Sequence, residues 1–139
     1  MSLVRYGLIV GFVLWAAATA LFVPLGHFVF GPDNQLPVAL TSGLIIVATF
    51  LGVYWLANRV LRRMHPSGLE HAALLGVFLC LPGLTLDGAL YALDAGRYPG
   101  LDGTASGAMC AGLLLAYAAA LLGTLVAGRA VMKGTNVAA

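Results

Sequence analysis

Four apolar runs dominate the sequence, at about residues 6–30, 37–58, 67–93 and 104–127, with breaks of six to ten residues between them. A helix of about 20 apolar residues crosses the hydrocarbon core of a bilayer, and every run reaches that length. Only 9% of the 139 residues are charged and 61% are hydrophobic, whereas a soluble domain carries about a quarter charged residues. No water-facing surface can be built from that composition, so the solvent for most of the chain is lipid. In lipid each backbone polar group must bond within its own element, which makes helices of runs like these. The expected fold is all-α, a single integral membrane domain over residues 1–139 in the form of a four-helix bundle. Four spans consume the length, so any chemistry has to sit between helices or at the two interfaces.

The first run opens like a signal peptide, with Arg5 ahead of it and Ala18-Thr19-Ala20 as a small-residue site. It stays apolar well past Ala20, however, and reads as a span. Between the second and third runs, Ser67-Gly68-Leu69-Glu70 has the spacing of a capping box. That gives Glu70 a structural task at a helix start.

Charge placement orients the bundle. Arg5, then Arg59, Arg62 and Arg63, then Arg129 and Lys133 fall at one end, whereas Arg97 falls at the other with Asp33, Asp94 and Asp102. Cytoplasmic loops collect Lys and Arg, so both termini are expected in the cytoplasm, in a bacterial inner membrane. The basic stretch at Arg59–Arg63 is read as a topology determinant, with no nucleic-acid partner implied.

The third run carries Asp87, an acidic residue well inside an apolar segment. Hydrocarbon penalises an ionisable group by several kcal/mol unless it is partnered or wet, which makes it a functional-site hypothesis. Residues three and four apart share a helix face, and Gly76, Cys80, Gly83, Asp87, Tyr91 and Asp94 follow that spacing. This small and polar stripe belongs in the bundle interior, with Leu79, Leu86 and Leu93 turned elsewhere. Counting about 1.5 Å per residue from the helix starts sets His27 at the height of Asp87. The candidate polar site is therefore Asp87 with His27, joined by Tyr91, Asp94 and Arg97. A carboxylate beside an imidazole can pass protons. It can equally hold two helices together, and that structural role is the favoured one. On the fourth run, Ala108, Gly112, Ala116, Ala120 and Thr124 fall four apart, a ridge that lets another helix approach closely.

Cofactor and metal chemistry find no support in the sequence. Cys80 and Cys110 lack metal-ligand spacing and a C-x-x-C pair, and read as small buried hydrophobes. His27 lies near one end and His65 and His71 near the other, which rules against a haem between two histidines. The first span has no carboxylate, unlike the small four-span multidrug exporters.

Leu81-Pro82-Gly83, Leu86-Asp87, Tyr98-Pro99-Gly100-Leu101 and Tyr117 together resemble a family of small four-span bacterial inner-membrane proteins of unknown function. The resemblance covers about a third of the chain, mainly the third and fourth spans. It implies a four-helix bundle and supplies no activity.

The leading functional expectation is a non-enzymatic membrane subunit or scaffold. Its partners would be membrane lipid and another membrane protein or a second copy of itself. Two alternatives are a small proton-coupled transporter using Asp87 and His27, and a lipid- or quinone-binding enzyme with its site at the outer mouth.

Overall fold

A computed structural model of the protein describes residues 2–30, 38–64, 69–93, 101 and 103–136, with side chains described at 2–21, 23, 40–64, 69–93, 101 and 103–133. The described residues form four helices, α1 (Leu3–Phe30), α2 (Val38–Met64), α3 (Leu69–Leu93) and α4 (Gly103–Asn136). There is no strand among the described residues. All four helices are long and apolar enough to cross a membrane. The all-α four-span architecture expected from the apolar runs is the one observed.

Local chemistry sets the helix ends. At the start of α1 the Ser2 hydroxyl accepts from the Arg5 N–H at 3.4 Å, as an N-cap side chain does. The helix α2 runs on to Met64, six residues beyond the apolar run, so the basic stretch is helical rather than a loop. Its charges suit that position. Arg62 donates to the Asn58 side chain one turn back at 3.0 Å, and the Arg59 guanidinium lies 5.1 Å from the centre of the Trp55 ring. Arg62 and Arg63 in the last turn face the negative end of the helix dipole. The helix α4 likewise continues nine residues past the expected end, through Arg129 and Lys133. Pro82 sits inside α3 and costs the helix one backbone bond. Nearby, the Thr85 hydroxyl donates to the carbonyls of Leu81 and Pro82 at 2.9 and 3.0 Å. The Ser67 half of the capping box lies outside the described residues.

The helices pack in the order α1, α3, α4, α2, and α1 barely touches α2. One side of the bundle therefore stands open. A buried cluster of Ala57, Val60, Leu61, Ala72, Leu75 and Ala127, with Leu3, Tyr6 and Val131 against it, gathers one end of all four helices. The same cluster brings Arg5, Arg59, Arg62, Arg63, Arg129 and Lys133 to that end. Val53, Leu79, Cys80 and Ala120 form the middle of the core. Leu101, Ala105 and Met109 form its far end.

Small residues make the closest helix contacts. Ala57, Ala72, Ala127, Cys80, Ser106 and Thr124 are buried beside Leu61, Leu75 and Met109, while Ile9, Phe12, Leu21, Leu44, Leu51, Leu114 and Leu122 are exposed. In lipid nothing drives a leucine inward, and helices associate through the close contact that small residues permit. Gly11 is the sharpest case, because a Cβ there would run into the backbone of Leu79. α3 lies between α1 and α4 and buries a wide face, made of Ala72, Leu75, Gly76, Leu79, Cys80 and Gly83. Leu79 is therefore interior, contrary to the sequence expectation, since two neighbours cover two sides of the helix.

Candidate functional site

Along α3 the stripe is buried at Gly76, Cys80 and Gly83 and half-buried at Asp87. The Asp87 carboxylate is held from two other helices. Trp15 of α1 donates its indole N–H to Oδ1 at 2.8 Å, and Tyr117 of α4 donates its hydroxyl to Oδ2 at 2.5 Å. Hydrogen bonds to an ionised acceptor are short and about twice as strong as neutral ones. Two of them offset part of the cost of holding a carboxylate among apolar helices.

Gly83 makes room for this arrangement. It lies one turn before Asp87, and a Cβ there would collide with the hydroxyl and ring of Tyr117. The Cys80 thiol, one turn earlier again, faces the Tyr117 carbonyl at 3.8 Å. Pro82-Gly83, Asp87 and Tyr117, quoted above as separate short motifs, thus meet at one place.

Beside them lies a cleft of about 620 Å³. Its walls are α1 and α2, the two helices that barely touch, and its floor is α3 and α4. On α4 the lining runs from Met109 to Ala120, about 16 Å of helix. Asp87, Trp15 and Tyr117 line the part away from the basic end. Gly11, Val53, Trp55, Leu56, Leu79 and Ala120 line the part toward it, and the apolar Ile45, Met109 and Leu113 line the part furthest from it.

The other sequence candidates are placed as follows. Tyr91, one turn beyond Asp87, is exposed on the surface of α3. Asp94 and Arg97 lie outside the described residues, as does the side chain of His27, twelve residues further along α1 than Trp15. The His27–Asp87 pair is thus not among the contacts described, which run instead to Trp15 and Tyr117. On α4, Gly112 and Ala120 are buried, Ala116 lines the cleft, and Ala108 packs on the far end of the core. Arg59, Arg62 and Arg63 are exposed on the last turns of α2. Among the described residues no three His, Cys, Asp or Glu side chains gather as metal ligands would.

Sequence reading placed neither partner in the polar site: Tyr117 entered only through the family resemblance, and Trp15 not at all. A signal was present, because a tryptophan inside a bundle needs a partner for its N–H, and Asp87 is a strong acceptor in the interior.

Fold and cleft together define a small integral membrane protein with four spanning helices and an intramembrane recess. No family model matches the chain, and neither a curated protein nor a solved structure does.

Proposed function

We propose that this is a non-enzymatic protein of the bacterial inner membrane that holds a small lipid-phase molecule in the cleft between α1 and α2. The observation that carries the reading is the cleft itself, about 620 Å³ with all four helices contributing. Binding sites are mostly apolar recesses of about 300–1,000 Å³ with a few placed polar groups, and Asp87, Trp15 and Tyr117 are such groups. A ligand dissolved in the bilayer would enter sideways, through the open α1–α2 side. The basic end is proposed to face the cytoplasm, which puts both termini there.

A second reading, the membrane subunit, draws on the same opening. A helix of another protein, or of a second copy, would cover the apolar faces of α1 and α2.

Gly52 separates the two. It lines the cleft, and a Cβ there meets nothing within 4 Å, so Gly52→Leu starts a side chain from open space in the cleft. Wild type and variant would be extracted in native-lipid nanodiscs and examined by native mass spectrometry. The expected result is a small molecule that travels with the wild type and is lost from a folded Gly52→Leu. A polypeptide partner in place of that molecule, or a ligand that survives the substitution, would overturn the binding reading.

A further inference from the structure

We infer that the cleft takes one acyl chain of an anionic phospholipid, whose phosphate is held at the basic end by Arg59 and Arg63. The inference rests on the cleft-binding reading above. On α2 the cleft is lined from Ile45 to Leu56, about 16 Å of helix. That is close to half of the roughly 30 Å hydrocarbon core, the depth of one leaflet. The lining is mostly apolar on both sides of Asp87, and Trp15 and Tyr117 already bond to that carboxylate. A hydrocarbon chain lying along the helices fits such a slot and asks nothing of Asp87.

Charge decides what the head can be. Arg59 follows Gly52 of the cleft by seven residues and Arg63 by eleven, about two and three whole turns. Both therefore continue the cleft-lining face of α2 to its basic end, and both are exposed. The Arg59 guanidinium lies 5.1 Å from the centre of the Trp55 ring, itself part of the cleft lining. Among the described residues neither arginine is in an ion pair, and the acid at this end, Glu70, lies 3.8 Å from His71. A guanidinium presents a planar fork of donors that matches a phosphate, and basic clusters at the cytoplasmic surface attract anionic lipid heads. Arg129 and Lys133 stand apart from this pair. They follow Ala120, a cleft residue of α4, by nine and thirteen residues, which turns them to the far side of that helix.

The protein in detergent would be titrated with phosphatidylglycerol and with phosphatidylcholine of the same acyl chains, and bound lipid read by native mass spectrometry. Glycerol phosphate, a phosphate head without chains, is the third probe. The expected result is binding of phosphatidylglycerol tighter than phosphatidylcholine by about tenfold or more, with no binding of glycerol phosphate at the same concentrations. Arg59→Gln and Arg63→Gln together should abolish the preference and leave phosphatidylcholine binding unchanged. Arg129→Gln and Lys133→Gln together should leave the preference in place. Gly52→Leu should weaken both lipids. Equal affinity for the two lipids, a preference that survives the loss of Arg59 and Arg63, or one that falls equally in both charge variants would overturn the head-group inference. So would glycerol phosphate binding as tightly as the lipid. In each of these cases a loss of lipid in Gly52→Leu would leave the cleft reading intact. If Gly52→Leu binds both lipids as the wild type does, no chain enters the cleft and both readings fall. The substituted residues are all exposed, and the wild-type comparison needs no variant.

Discussion

Asp87 is held by groups far from it in the chain, Trp15 at 72 residues before and Tyr117 at 30 residues after. The aspartate itself was legible in the sequence, since a carboxylate in an apolar run has to face the interior. Its partners were not, because a depth count assumes that helices start level. Gly7 is the fifth residue of α1 and Phe78 the tenth of α3, yet a Cβ on Gly7 would touch Phe78. That stagger of about 7.5 Å brings Trp15 within reach of Asp87. Tyr117→Phe tests the clamp, since it keeps the ring over Gly83 and removes only the hydroxyl. A hydrogen bond to a charged group contributes about 1.5–3 kcal/mol, and this half-buried one belongs at the lower end. Denaturant unfolding of the purified protein should show a loss of about that size, about 1.5 kcal/mol. No loss at all would mean that the carboxylate is held by something else.

At the scale of the helix, glycines report where packing is tight. The apolar runs fixed the number and approximate bounds of the helices in advance, while of the residues spaced four apart on α4, Gly112 and Ala120 are buried and Ala116 lines the cleft. Which glycines meet a neighbour depends on register, and register comes from contacts between helices that one sequence does not display. Gly11 faces the backbone of Leu79, which cannot step aside as a side chain can. Gly88 of α3 faces open space. The two alanine substitutions should therefore have opposite signs. Gly11→Ala forces α1 away from α3 at a cost of about 1–3 kcal/mol. Gly88→Ala removes a flexible residue from a helix interior and gains about 0.5–1 kcal/mol. Thermal unfolding of both variants in one detergent gives the comparison. Two shifts of the same sign would contradict the α1–α3 packing.

Across the whole molecule, six of the seven Lys and Arg residues fall at one end, and the proposed orientation follows from them. Single cysteines at positions 62 and 97, in a chain without Cys80 and Cys110, should divide accordingly. An impermeant reagent added to intact cells should label position 97 and leave position 62 unlabelled, and the reverse pattern would invert the molecule. The open side between α1 and α2 is the feature that composition and periodicity could not reveal. Apolar faces look alike whether they meet lipid, a ligand or another helix. The central claim is that this opening leads to a site for a small lipid-phase molecule, and the most direct test is an experimental structure in native-lipid nanodiscs. The expected result is elongated density along the cleft, not continuous with any polypeptide, ending beside Asp87 with Trp15 and Tyr117 still bonded to it. A structure with α1 closed against α2, or with a protein helix lying in the gap, would contradict it.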